Sequence, residues 1–178
     1  MELRADARIP FPRDVVFTAY RDDITKVLPY LPNVRSIEVT SRKDDGPIAA
    51  LVNEWRGGGD VPAAIRAVLS ESVLAWTDHA TWNARDLTCE WRTVTHAFGD
   101  GMSCAGRNAF LEDGPDRTLL EIRGSLTVDP KKIRGVPGFL AGKVAKAVEE
   151  FLVSKIQANL LETAKGFTQY LEGQAKKT

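Results

Sequence analysis

One stretch limits what the rest of the chain can fold into. From Pro137 to Gly173, apolar residues recur at Leu140, Val144, Val148, Phe151, Leu152, Ile156, Leu160, Phe167 and Leu171. The steps are mostly three, four or seven residues, which predicts a single amphipathic helix. Such a helix would be about 54 Å long at the α-helical rise per residue. Its apolar stripe needs a cover of similar length, and only a wide, curved sheet would serve.

The preceding residues read as that sheet. Leu3, Ala5, Ala7 and Ile9 alternate with Glu2, Arg4, Asp6 and Arg8, the period of a strand with one dry face. Pro10 and Pro12 end it. Val15, Val16, Ala19 and Tyr20 then suit a short helix, and Ile24, Val27 and Leu28 a second, closed by Pro29 and Pro32. Strand patterns follow at Val34–Arg42, Ile48–Trp55, Ser72–Trp82, Leu87–His96, Met102–Glu112 and Arg117–Val128. Their turns are Asp45-Gly46, Asn83-Ala84-Arg85-Asp86, Gly99-Asp100 and Asp113-Gly114-Pro115-Asp116. Between the third and fourth strands, Gly57-Gly58-Gly59 precedes a short helix over Val61–Leu69, with Asp60 as N-cap and Pro62 in its first turn.

The 178 residues suffice for one domain with its own core, expected over residues 1–173, with 174–178 a frayed tail. Twenty-four basic and 24 acidic side chains cancel, so there is no global field to draw in nucleic acid or an anionic membrane. Lys131, Lys132 and Arg134 form at most a small solvated patch. No apolar run approaches the length of a bilayer span, and residues 1–8 do not resemble a signal peptide, so a cytoplasmic protein without stable membrane insertion is expected. Oligomeric state is not legible.

The order of strand, two short helices, six strands and a long helix resembles the helix-grip fold of the START-like (SRPBCC) superfamily, which includes Bet v 1-like proteins and polyketide cyclases. The resemblance rests on Ala7-Arg8-Ile9-Pro10-Phe11-Pro12-Arg13-Asp14-Val15-Val16-Phe17, where strand passes into helix, on the late hairpins and on the closing helix. It implies an α+β fold in which a curved antiparallel sheet of about seven strands wraps around the C-terminal helix. It also implies a cavity between sheet and helix.

Alternation assigns the faces. The more apolar rows are Leu74, Trp76, Asp78, Ala80 and Trp82; Leu87, Cys89, Trp91 and Thr93; Met102, Cys104, Gly106, Asn108 and Phe110; and Thr118, Leu120, Ile122, Gly124, Leu126 and Val128. These should face the helix, with Glu90, Arg92, Arg107, Glu121 and Arg123 outside. Tight turns would align Asp78, Trp91, Asn108 and Ile122 in one band across the sheet. Asp78 and Asn108 are then polar groups on an apolar face, and they either satisfy each other, the Trp91 indole or buried water, or orient the polar end of a ligand. A carboxylate so placed could also have a raised pKa. Gly106 and Gly124 should be cross-strand neighbours marking a bend.

Several chemistries lack their residues. Asp78 and His79 are strand neighbours and point to opposite faces. His79 and His96, the only histidines, fall on outer rows, so no zinc site is expected and no metal or other cofactor is implied. Cys89 and Cys104 lie too far apart along adjacent strands to bond and read as small buried hydrophobes. The triple glycine lacks the lysine and hydroxyl of a phosphate loop and reads as a hinge; with the helix after it, it could form a lid facing Gly135-Val136-Pro137-Gly138. No catalytic residue is assigned. The expected function is binding or transport of a hydrophobic small molecule, such as a lipid or isoprenoid. The cavity candidates are Trp55, Trp76, Asp78, Trp82, Trp91, Asn108, Phe110, Ile122, Val144, Val148 and Phe151. A polyketide cyclase or dehydratase-like enzyme using the same cavity is the alternative, and a closed-core domain that binds another protein is the third.

Overall fold

A computed structural model describes residues 1–58, 74–97, 99–132 and 138–177. The lid expected at Gly59–Leu69 and most of the lip at Gly135–Gly138 lie outside them. Seven strands form one antiparallel sheet: β1 (Glu2–Ile9), β2 (Val34–Asp45), β3 (Ile48–Gly57), β4 (Ala75–Asn83), β5 (Thr88–Thr95), β6 (Met102–Glu112) and β7 (Thr118–Val128). The order across the sheet is β1-β7-β6-β5-β4-β3-β2. Thus β2 to β7 form a meander, and β1 closes against the last strand, pairing Glu2 with Ser125 and Ile9 with Thr118. Helix α1 (Arg13–Asp22) leads from β1, and a 3-10 turn at Leu28–Tyr30 stands where a second helix was expected. Helix α2 (Gly138–Ala175) is the long C-terminal element and continues two residues past Gly173.

The turns explain the meander. Gly46 adopts a left-handed φ of 56°, which closes the β2–β3 hairpin between Asp45 and Ile48 at little steric cost. At the β4–β5 turn Asn83 stays in the ladder opposite Thr88 while its side chain accepts from Arg85 N at 2.9 Å and donates to Asp86 at 2.8 Å. Leu87 takes a φ of 52° there and cannot extend β5. The loop therefore spans residues 84–87, and Trp82 faces Cys89 rather than Leu87.

Two apolar clusters flank the middle of the molecule. One joins α1, the sheet and the C-terminal half of α2. Phe17 meets Trp82 and Phe110 edge to face, and Tyr20 stacks on Phe167 with ring centroids 3.7 Å apart. The other packs the N-terminal half of α2, through Ala145, Val148 and Leu152, on Leu3, Met102, Cys104, Leu126 and Val128. Neither cluster fills the space under the centre of the helix.

Candidate functional site

That space is a cavity of about 240 Å³ between the concave face of the sheet and α2. Helix α2 presents one face to it, from Leu152 through Lys155, Ile156, Asn159 and Leu160 to Thr163. This spacing of three and four is the helical repeat. The first and last of these turns anchor in the clusters, while the longer and more polar side chains between them leave the void.

The sheet's contribution is organised in bands set by register. Asn53, Asp78, Thr93 and Cys104 are mutual cross-strand neighbours and form a polar band. On one side lies the band Trp55, Trp76 and Thr95, in which the two indoles stack at 5.7 Å. On the other lies Leu51, Ala80, Trp91, Gly106 and Gly124. The Trp91 ring rests on the two glycines: a methyl placed on Gly106 would stand 2.5 Å from Trp91 Cζ2, and one on Gly124 3.0 Å from Cη2. This shelf lets the indole N–H donate to Asn108 Oδ1 at 2.8 Å, one band further along. The glycines therefore serve a close approach of an aromatic ring, beyond the bend expected of them.

Asp78 is the electrostatic centre of the wall. It lies half-buried on the cavity wall, and desolvation pushes its carboxyl up to about 6 against the opposing hydrogen bonds of Asn53 and Thr93. Thr93 Oγ1 stands 3.5 Å from Asp78 Oδ1. Among the described residues no cation lies within ion-pair distance of Asp78. Burial raises the thiols of Cys89 and Cys104, with Asp78 adding to both, and the latter reaches about 12. Four further wall atoms are buried without a hydrogen-bond partner: Tyr20 Oη, Asn53 Oδ1, Trp55 Nε1 and Trp82 Nε1. A buried polar group without a partner costs about 1–3 kcal/mol, and these atoms are closed off from the cavity surface as well as from solvent.

The expected residues are placed as follows. Trp55, Trp76, Asp78, Trp82, Trp91, Asn108 and Ile122 line the cavity. Phe110 is buried behind it in the α1 cluster at 1 % exposure. Val144, Val148 and Phe151 belong to the second cluster, below the cavity floor. Asp78 faces Thr93 rather than Trp91, and Trp91 faces Gly106 rather than Asn108, because the β4–β5 and β5–β6 connections are each offset by two residues from the tight turns expected. Asn53 was missed, although alternation back from Trp55 puts it on the inner face. Arg21 and Tyr20 reach the wall from α1, a position only the tertiary fold creates. His79 and His96 lie on the other face of the sheet. There His96 Nε2 is 3.2 Å from Glu54 and 3.1 Å from Thr77 Oγ1. Among the described residues no group of three or more acidic, histidine or cysteine side chains could hold a metal ion. Among the same residues no helix is long and apolar enough to cross a membrane.

No protein-family model and no curated protein matches the sequence. Solved structures do match the fold. TTHA0849 from Thermus thermophilus is 20 % identical with a TM-score of 0.67, covering 98 % of this chain and 99 % of its own. The Zhui aromatase/cyclase from Streptomyces sp. R1128 is 13 % identical with a TM-score of 0.68, covering 98 % and 95 %. Norcoclaurine synthase from Thalictrum flavum is 13 % identical with a TM-score of 0.62, covering 96 % and 86 %. The chain has the same helix-grip fold as these structures.

Proposed function

We propose that this protein binds a small, mainly apolar molecule, lipid- or isoprenoid-like in bulk, in the cavity between its sheet and α2, as a carrier or reservoir. The observation that supports this most is the wall itself. Four indoles enclose a void of about 240 Å³, and Asp78, Thr93 and Asn108 stand among them on its wall. Ligand sites commonly have this composition, an apolar lining with a few convergent polar groups. The buried free cysteines Cys89 and Cys104 fit a reducing compartment such as the cytoplasm. Native and denaturing mass spectra of the purified protein test the reading. A co-purifying apolar molecule released only on denaturation supports it. A protein that is empty as purified and takes up no member of a panel of fatty acids, sterols and isoprenoid alcohols overturns it.

A second reading is supported by Asp78. A carboxyl with a pKa of about 6 can exchange a proton near neutrality, as a dehydratase or cyclase acting in the same cavity requires. Under this reading Asp78→Asn abolishes turnover of a reactive polyketone while leaving it bound. Under the carrier reading there is no turnover to lose.

A further inference from the structure

We propose that the ligand carries a protonated amine, seated on Asp78 between the indoles of the cavity wall. The inference rests on the binding reading above and specifies the polar end of the bound molecule. Asp78 and Asn53 are cross-strand neighbours on the concave face, and the Asn53 side chain is 4 % exposed. Asn53 bonds Asp78, an acceptor-only group when ionised, so its amide nitrogen must face the carboxylate. The amide oxygen, Asn53 Oδ1, is left buried with no donor. That oxygen is closed off from the cavity, so the group the wall offers a ligand here is the Asp78 carboxylate.

Among the described residues the charge has no counterpart. Two cationic side chains among them reach the cavity, Arg21 and Lys155. The Arg21 guanidinium is held 2.7 Å from Asp22 and lies over the Phe17 ring. The Lys155 ammonium lies 5.9 Å from the ring centroid of Phe151, which is not a lining residue. The other titratable groups on the wall among the described residues are Tyr20, Cys89 and Cys104, all pushed upward by burial. Glu54, His79 and His96 project from the opposite face of the sheet. A ligand hydroxyl would supply one donor and no charge. A primary ammonium supplies three N–H donors and the missing positive charge. Its neighbours in the adjacent bands, Trp55 and Trp76 on one side and Trp91 on the other, present aromatic surface, which attracts cations. Folding has already removed part of the solvent from the carboxylate, which lowers the desolvation cost of seating an ammonium there.

The test is calorimetric titration with three probes of one shape: 4-phenylbutylamine, 4-phenylbutan-1-ol and 4-phenylbutyrate. At pH 7.5 the amine is expected to bind at least tenfold more tightly than the alcohol, with the carboxylate weakest. In Asp78→Asn the amine-to-alcohol affinity ratio should fall to about one. In the wild type, amine affinity should drop about tenfold between pH 7.5 and pH 5, as Asp78 takes up a proton while the ligand stays cationic. An alcohol that binds as well as the amine overturns the inference and leaves the cavity reading standing, and so does an amine preference that survives Asp78→Asn. Failure of all three probes to bind overturns the inference, and the cavity reading then falls only if the protein also fails the mass-spectrometric and panel test above. The wild-type comparison decides the matter without the variant.

Discussion

The glycine shelf under Trp91 makes a quantitative prediction. Replacing Gly106 by alanine puts a methyl group where the Arg123 carbonyl oxygen, Trp91 Cζ2 at 2.5 Å and Gly124 Cα at 2.8 Å already stand. Two of these three atoms are backbone, so the sheet itself must yield. Overpacking of this kind costs about 1–3 kcal/mol. The displaced indole also loses its bond to Asn108, worth about 1 kcal/mol net. The sum is about 2–4 kcal/mol. For a domain of this size that lowers Tm by about 5–15 °C. Gly142→Ala is the matched control. A methyl at Gly142, on the exposed part of α2, meets nothing within 4 Å. There alanine should stabilise by up to about 1 kcal/mol, because glycine is the weaker helix former. Urea unfolding followed by circular dichroism measures both, and Trp emission reports the displaced ring. If Gly106→Ala unfolds within about 0.5 kcal/mol of wild type with unchanged emission, the shelf does not hold the indole and the reasoning fails.

Further expectations follow from single contacts. Asp78 binds its proton more tightly folded, at about 6, than unfolded, near 4, so native stability should fall as pH rises through that window. Asp78→Asn removes this loss and should be more stable than wild type by about 3 kcal/mol at pH 7.5 and by nothing at pH 4; a flat difference across paired urea titrations would contradict it. Phe167, fully buried and stacked on Tyr20, should cost about 3–5 kcal/mol as alanine, read as a thermal shift; a loss under about 1 kcal/mol would remove it from the core. Trp91→Phe and Asn108→Ala should couple by about 1 kcal/mol in a double-mutant cycle, and simple additivity would show that their hydrogen bond contributes nothing to stability.

How legible this was in the sequence depended on the scale of the signal. Period-two rows such as Trp76, Asp78, Ala80 and Trp82 gave the concave face, because a pleated strand leaves no other way to sort them. The long helix was equally plain from its spacing. Pairing across the sheet was not, since it depends on how each turn closes. Leu87 in a left-handed conformation and a 3-10 turn at Gly99–Gly101 each moved the ladder by two residues. A two-residue offset keeps every side chain on its face but changes its neighbour. Asp78 was therefore expected on the correct wall with the wrong partner, and its neighbour Asn53 was overlooked. The helix residues at the cavity were missed for a related reason. Val144, Val148 and Phe151 are apolar and face inward, but the sheet under them is filled by Leu3, Leu126 and Val128. The void opens where α2 carries Lys155, Asn159 and Thr163, residues that hydrophobic patterning discounts.

The pairing of β1 with β7 bears on how this chain comes to be folded at all. Glu2 finds its neighbour at Ser125, and α2 follows only after β7. At about 5–20 residues per second, a ribosome exposes β1 for on the order of ten seconds before its partner strand exists. During that interval its dry row of Leu3, Ala5, Ala7 and Ile9 has no sheet to join. The alternating Glu2, Arg4, Asp6 and Arg8 keep this waiting strand charged, which discourages pairing with another nascent copy. Closure of so long a loop also places the domain among slow folders.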